Sequence, residues 1–312
     1  MPEKLLTIFT APKPFKDAHT STIQRNALRS WQALGEVVDI LVLGGDEGIA
    51  ENTKNIGITH ILDVLCNEKG TPLVSSMLDI AREKSSSPFL AIVNADIILF
   101  QDLLDAIQIV SDVFKSFILI GQRWDMDIEK ELPSGSAAFS RLKERVSTSG
   151  MLHPPMGSDY FVFPRDCYLE IPDFAIGRAG WDNWFIFKSR WEGWSVVDAT
   201  DDVTIIHQNH DYRHLPGGKP HYRLPETRTN VERAGGEYSI FTMFDAQFHL
   251  RNGSLKKKKK NLRKIIREIE IFPLTNLRSK FLGQLFYYSF RPKKAYALIC
   301  RVIGSARKSN NN

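Results

Sequence analysis

Short apolar runs alternate with stretches of helical period along the first part of the chain. Residues 5–10, 37–43, 60–65, 89–100 and 117–120 are apolar runs that stop at turn residues. Between them, 24–34, 73–84 and 102–114 repeat apolar positions every three or four residues, the spacing of one helix face. That is the rhythm of βαβ units. Apolar runs with few polar interruptions suit strands buried on both faces, as in a mostly parallel sheet with helices on each side. Beyond Gly121 the rhythm breaks. A polar insert at 134–150, a proline-rich turn at 153–156 and a strand at 160–164 are followed by a helix at 182–191, strands at 195–198 and 203–207, and a loop rich in Gly, Pro and His at 209–225. Structureless loops of that length are functional lids or disordered segments. The fold expected is α/β, a Rossmann-like mixed sheet flanked by helices.

Ligands of open α/β sheets bind beyond the carboxyl ends of the strands, so the places where apolar runs stop are the places to look for chemistry. They are Thr10-Ala11-Pro12, Gly44-Gly45-Asp46, Asn94-Ala95-Asp96, Gly121-Gln122-Arg123 and His207-Gln208-Asn209-His210. Gly44 to Gly48 is glycine-rich but acidic and reads as a surface turn. Asp96 interrupts an apolar run, where an ionised carboxylate is costly unless it is paired, hydrogen-bonded or bound to a metal. A divalent ion with oxygen ligands would compensate it; the other reading is a bond to backbone amides where the next helix begins. Asp182 lies between Trp181 and Trp184, just after Gly177 and Gly180. A carboxylate beside apolar rings gains proton affinity and suits a general base, and tryptophan faces stack on pyranose rings. Asp182 also sits where a helix N-cap belongs, with the tryptophans as core residues. His207, His210, Asp211 and His214 form a cluster able to ligate a metal or touch a diphosphate, and Arg213, Lys219 and Arg223 make the same loop an anion-binding lid.

Composition narrows the class. At 312 residues and 43% hydrophobic content the chain can bury a substantial core. Its net charge of +5 conceals an asymmetry: residues 254–312 hold 16 Lys and Arg against two Glu, a charge of +14 that leaves 1–253 at −9. The organisation expected is an acidic catalytic domain over 1–253 and a basic tail over 254–312. In the tail, five lysines at 256–260 precede Leu262, Ile265, Ile266, Ile269 and Phe272 at helical spacing. Such a helix beside a polybasic run binds an anionic membrane leaflet, at about 1 kcal/mol per basic residue near the surface, or packs back on the domain with the lysines as a solvated hinge. Cys66, Cys167 and Cys300 are far apart and show no ligand spacing, the start of the chain lacks signal-peptide character, and no stretch is long and apolar enough to span a bilayer. These features lead us to expect a cytoplasmic protein, peripheral at most. There is no GxGxxG after a strand, no Walker A loop and no GxSxG elbow. Dehydrogenases, P-loop kinases and α/β-hydrolases lose support.

Taken as a set, several runs resemble the GT-A type glycosyltransferases, and in particular a bacterial and plant group of them. The runs are Phe9-Thr10-Ala11-Pro12-Lys13-Pro14, Gly70-Thr71-Pro72-Leu73-Val74-Ser75-Ser76, Val93-Asn94-Ala95-Asp96-Ile97, Gly121-Gln122-Arg123-Trp124-Asp125, His153-Pro154-Pro155, Gly157-Ser158-Asp159-Tyr160, Gly180-Trp181-Asp182-Asn183-Trp184 and Ile206-His207-Gln208-Asn209-His210-Asp211-Tyr212. The resemblance implies a nucleoside diphosphate sugar as donor and a glycan, lipid or small molecule as acceptor. It implies a divalent cation, Mn²⁺ or Mg²⁺, on Asp96, the last carboxylate of a DxD motif, and on His207. Thr10, Ala11, Pro12, Arg25, Asn94, His210 and Lys219 are the donor-binding residues expected; Asp182, the catalytic residue expected, stands where such enzymes carry an acidic acceptor-binding or base residue; Trp124, Asp159, Trp181 and Trp184 are expected to face the acceptor. Asn94 departs from the motif, holding one charge fewer than the Asp that belongs there. Three rival readings stand beside this one. A nucleotidyltransferase would need a glycine-rich basic loop after the first strand, where this chain has Ala11-Pro12-Lys13-Pro14. A binding-only relative would share the sheet, and a nucleic-acid-binding protein would act through the lysines, although the body holds no nucleic-acid module.

Overall fold

The structure, a computed structural model, describes residues 3–210, 224–298 and 300. The chain divides into two compact units, Met1–Ser189 with Trp194–Lys258, and Arg190–Gly193 with Lys259–Asn312.

The first unit opens with β1 (Leu6–Thr10), α1 (Ala18–Gln32), β2 (Val38–Leu43), α2 (Ile49–Ile56), β3 (Thr59–Ile61), α3 (Val74–Lys84) and β4 (Phe89–Val93). It continues through β5 (Ile97–Ile98), α4 (Asp102–Ser111), β6 (Phe117–Ile120), β7 (Trp124–Met126), α5 (Ser136–Ser149), β8 (Met151–Leu152) and β9 (Tyr160–Pro164). α6 (Trp181–Glu192), β10 (Ser195–Asp198), β11 (Ile206–Gln208), α7 (Pro225–Arg233), β12 (Phe248–Arg251) and β13 (Ser254–Lys257) complete it, the last turn of α6 counting with the second unit.

Among the described residues, nine strands form one sheet in the order β13-β12-β10-β6-β9-β4-β1-β2-β3. β9 runs antiparallel to both neighbours and β13 antiparallel to β12, while the other neighbours are parallel. This mixed sheet flanked by helices is the architecture the sequence implied. β1 and β6 are buried at every position, as runs covered on both faces should be. Leu6, Ile8, Ala91, Val93, Leu119 and Val162 meet Trp31 and Leu28 of α1 and Leu103 and Ile107 of α4 in the main core. A second, four-stranded sheet in the order β5-β11-β7-β8 lies beside a smaller core of Ile98, Met126, Phe139, Leu142, Val146 and Ile206.

Several expectations change here. The run 89–100 is not one strand: the chain turns at Asn94, whose backbone carbonyl accepts from Ile97 N at 3.1 Å, so Asp96 falls in the turn between the two sheets and Ile97–Ile98 joins the smaller one. α1 begins at Ala18 rather than near Gln24 because Asp17 caps it, accepting from Thr20 N at 2.7 Å. The polar insert at 134–150 is the helix α5, which buries Phe139, Leu142 and Val146 on one face. The tail expected from residue 254 starts with a strand: Leu255 to Lys257 pair with Phe248 to Leu250, and Lys258 Nζ meets Asp198 Oδ2 at 2.6 Å.

The second unit holds α8 (Leu262–Thr275) and α9 (Lys280–Ser289). Asn261 caps α8 through Lys264 N and Ser279 caps α9 through Leu282 N. Gly283 lets the two helices close on each other, since a Cβ there would run into the Leu274 side chain. Charged residues sit inside the unit: Arg190 Nη2 meets Glu268 Oε2 at 2.9 Å, Lys264 Nζ meets Glu268 Oε1 at 3.2 Å, and Arg267 and Arg291 both meet Glu270. Burial alone would raise the Glu268 carboxyl, but Arg190 and Lys264 outweigh it and hold it low. No helix among the described residues is long and apolar enough to cross a membrane.

Candidate active site

Three parallel strands end at one place. β1 delivers the segment Ala11 to Lys13, β4 delivers Asn94 to Asp96, and β6 delivers Gly121 to Arg123, so the carboxyl edge of the sheet carries an ammonium, a carboxylate and a guanidinium. The smaller sheet adds the rest. β11 alternates, burying Ile206 and Gln208 and turning His207 the other way, while β7 presents Asp125 in register with His207. Gln208 is fully buried and anchors this arrangement: its Nε2 donates to Ile23 O at 2.7 Å and to Asp96 O at 3.1 Å, and its Oε1 accepts from Asn26 Nδ2 at 3.0 Å. Gln24 fixes the other side, accepting from Lys13 N at 2.7 Å and donating to Lys13 O at 3.0 Å.

Asp96 is the centre. Its Oδ2 lies 3.0 Å from His210 Nε2, 3.9 Å from His207 Nε2 and 3.9 Å from Lys13 Nζ, and Lys13 Nζ is 3.3 Å from His210 Nε2. Burial would raise the Asp96 carboxyl; the hydrogen bond with His210 and the charges of His207 and Lys13 outweigh it and hold it well below the usual carboxylate range. Burial lowers both the Lys13 ammonium and the His207 imidazole against the pull of Asp96. Ligand atoms of Asp96, His207 and His210 all fall within 4.8 Å of one another. Among the described residues, Asp96 Oδ1 and His207 Nδ1 are buried without a hydrogen-bond partner, His207 Nδ1 standing 3.2 Å from Asp125 Oδ1 without hydrogen-bond geometry. An orphaned carboxylate oxygen beside two imidazoles fits a divalent cation, and the nitrogen ligands suit Mn²⁺ better than Mg²⁺, which prefers oxygen. An ion seated there would shift the Lys13 ammonium away from the same carboxylate.

Behind this cluster runs a chain of ion pairs. Arg123 donates through Nε to Asp125 Oδ1 and through Nη1 to Asp159 Oδ2, each at 2.8 Å, and His153 Nδ1 lies 2.7 Å from Asp125 Oδ2. Burial opposes ionisation of Asp125, yet His153 and Arg123 bring its carboxyl below the ordinary value. Asn94 Nδ2 donates to Asp159 Oδ1 at 2.7 Å, and Asn94 N to Asp159 O at 3.0 Å. The departure from the DxD pattern thus has a local cause: an aspartate at 94 would set its carboxylate against that of Asp159.

Asp182 stands in the first turn of α6. Gly180, at φ +109°, donates its N–H to Asp182 Oδ1 at 3.0 Å, and Oδ2 faces Gly157, where a Cβ would come within 3.1 Å. Burial raises the Asp182 carboxyl, the Asp159 charge adds to it, and the bonds from backbone N–H groups hold it back only in part. The raised proton affinity expected of Asp182 follows from this burial, but Asp182 is not the helix N-cap: α6 already begins at Trp181.

Other anticipated residues are placed differently. Thr10 is buried at the end of β1, with Ala11 and Pro12 following. Arg25 is engaged by Glu131, 3.3 Å away, and by Asn52 Oδ1 at 3.1 Å, not by the Asp96 cluster. Trp181 and Trp184 do not offer faces for a sugar: both are buried among Phe161, Phe174, Phe185 and Tyr168, because α6 packs its apolar side on β9 and the loops beside it. Trp124 packs against the smaller core, and Asp159 is held by Arg123 and Asn94. His210, anticipated on the diphosphate, joins Asp96 and His207 as a third ligand-like group. Lys219, with Asp211, Arg213, His214 and Arg223, lies outside the described residues. Residue chemistry alone does not single out Lys13, Asp125 or His153, although all three fall inside the runs that carry the resemblance.

No protein-family model and no curated protein matches the sequence. Solved structures similar to the chain include S. aureus TarS 1-349 in complex with UDP-GlcNAc, at 13% identity over 67% of this chain and 60% of that one, with a TM-score of 0.43. Another is glucosyl-3-phosphoglycerate synthase from Mycobacterium tuberculosis in complex with phosphoglyceric acid, at 13% identity over 75% of this chain and 81% of that one, with a TM-score of 0.45. A third is the mannosyltransferase PcManGT from Pyrobaculum calidifontis in complex with GDP-Man and Mn²⁺, at 11% identity over 65% and 56%, with a TM-score of 0.43. The match spans about three fifths of the length of the TarS chain.

Proposed function

We propose that this chain is a cytoplasmic GT-A type glycosyltransferase that moves a sugar from a nucleoside diphosphate sugar to an acceptor hydroxyl. The observation that carries the reading is the convergence of Lys13 and Asp96, at the ends of parallel strands, with His207 of the smaller sheet and His210 just after it, one buried Asp96 oxygen having no hydrogen-bond partner among the described residues. Asp96, His207 and His210 are the residues that would hold a divalent cation, which when bound neutralises charge on a departing diphosphate. Thr10 to Pro12, at the end of β1, would hold the nucleoside. Asp182 would take the proton of the acceptor hydroxyl as that oxygen bonds to the anomeric carbon and the carbon–oxygen bond to the diphosphate breaks, an inverting displacement. Its raised proton affinity suits that role. Asp125, hydrogen-bonded to His153 and paired with Arg123, orients the His153 ring and sets a negative charge beside His207; it is a positioning residue.

Lys13 favours a second form of the same reaction, in which its ammonium and His210 take the diphosphate charge without a metal. The two forms separate on Lys13→Met. If a cation is required, the variant gains metal affinity and keeps metal-dependent donor cleavage; if Lys13 is the cation, cleavage is insensitive to chelators in the wild type and lost in the variant. The base assignment is tested by nucleoside diphosphate release from a donor panel: Asp182→Asn should bind donor as the wild type does but turn it over at least about 100-fold more slowly. Equal turnover with the fold intact removes Asp182 from the mechanism.

A further inference from the structure

α8 is apolar on two sides: it buries Ile271 and Leu274, and it also leaves a row of large apolar side chains exposed. Its interior positions include Lys264 and Glu270, 5% and 7% exposed, with Arg267 beside them, and the ion pairs to Glu268 and Glu270 satisfy that charge within the unit. Its outward positions are Leu262, Ile265, Ile266, Ile269 and Phe272, spaced by three or four residues along one face. α9, which buries Gly283 and Tyr287, also exposes large apolar side chains, Phe281 at 77% and Leu285 at 54%. A row of large aliphatic and aromatic side chains facing solvent, beside buried charges already paired within the unit, marks a surface that is covered in use.

Charge says what covers it. Residues 254–312 carry +14, and Lys259, Lys260 and Arg263 stand at the start of the row, with Lys280 opening α9. A second copy docked through the same face would bring the same positive charge against its own, and a nucleic acid would leave the apolar row in water. An anionic lipid leaflet satisfies both features, taking aliphatic side chains at the level of the acyl boundary and ammonium groups at the headgroups.

We infer that α8 and α9 form a membrane-docking surface that lies in the interface of an anionic bilayer, inserting Leu262, Ile266, Ile269, Phe281 and Leu285. The lysines alone are not the device: Lys256 and Lys257 belong to a sheet edge and Lys258 is paired with Asp198. The test is sedimentation of the full chain with vesicles of phosphatidylcholine alone and of phosphatidylcholine mixed with phosphatidylglycerol. The wild type should pellet with the mixed vesicles, and Ile269→Asp/Phe281→Asp should bind them at least about tenfold more weakly with an unchanged melting temperature. Phe281→Trp should shift its fluorescence to the blue on the mixed vesicles and be quenched by lipids brominated in their acyl chains. Wild-type protein left in the supernatant, equal binding by the double variant, or binding lost only on neutralising lysines would overturn the inference. A lipid-free dimer that the double variant dissociates would also overturn it, in favour of a second copy.

Discussion

Replacing Arg123 by methionine removes the one guanidinium that joins Asp125 to Asp159. The side chains involved are 21%, 12% and 15% exposed, so the two hydrogen-bonded pairs at 2.8 Å are only lightly screened. Breaking a buried pair by deleting one partner costs about 3–5 kcal/mol, because the surviving charge is left desolvated. Here Asp159 keeps Asn94 and Asp125 keeps His153, which places the loss near the lower end, about 3 kcal/mol. Urea unfolding of the wild type, Arg123→Met and Arg123→Met/Asp159→Asn measures it. The double variant should recover a part of the loss, since the carboxylate that lost its partner is neutralised. Arg123→Lys should rescue little, a single ammonium being unable to fork between two carboxylates. A loss below about 1 kcal/mol for Arg123→Met, the size of an exposed pair, would refute the view that this network is a buried support of the site.

Asn94→Asp tests why the DxD pattern is broken: it should lower stability by about 1–3 kcal/mol through contact with Asp159 and leave Mn²⁺ affinity no tighter, whereas a tighter site would make Asn94 a lost ligand. Asp182 carries a pH signature. Its folded carboxyl is raised by burial, so the native state holds the proton more tightly than the unfolded chain, and stability from this group is greatest at low pH and falls as pH rises through the folded value. Asp182→Asn should therefore be no less stable than the wild type at about pH 8, its advantage shrinking as the pH falls toward the carboxylate range, as thermal melts across pH would show. The signs reverse for Asp96, whose folded carboxyl is depressed. Its contribution is present above the unfolded value and lost as acid protonates it, so Asp96→Asn should flatten the acid limb of the stability profile.

Much of the sheet and part of the site are legible in the order of residues alone. Apolar runs uncut by charge become strands buried on both faces, and a carboxylate inside such a run has to be compensated, which draws attention to Asp96. The two-residue period of a strand separates His207 from Ile206 and Gln208. What stays hidden depends on tertiary placement. Lys13 reaches Asp96 only because Gln24 clamps its backbone from α1, a contact that no local pattern encodes. Asp125 and His153 meet through the β7–β8 pairing, and a three-residue strand leaves little periodicity to read. Trp181 and Trp184 have the same residue chemistry whether they stack on a sugar or fill a core, and the aromatic cluster around β9 decides for the core. The outward row of α8 is visible as a helical period, but which face turns out is not: the period is the same for either side, and the ion pairs of Lys264 and Glu270 settle it.

The most direct measurement is a calorimetric titration of nucleoside diphosphate sugars into the wild type and Asp96→Ala, each with and without Mn²⁺. Binding of a donor that strengthens with Mn²⁺ and disappears in Asp96→Ala is the expected result. Failure of every donor to bind the folded wild type, with or without metal, would contradict the assignment of this site to nucleotide-sugar chemistry.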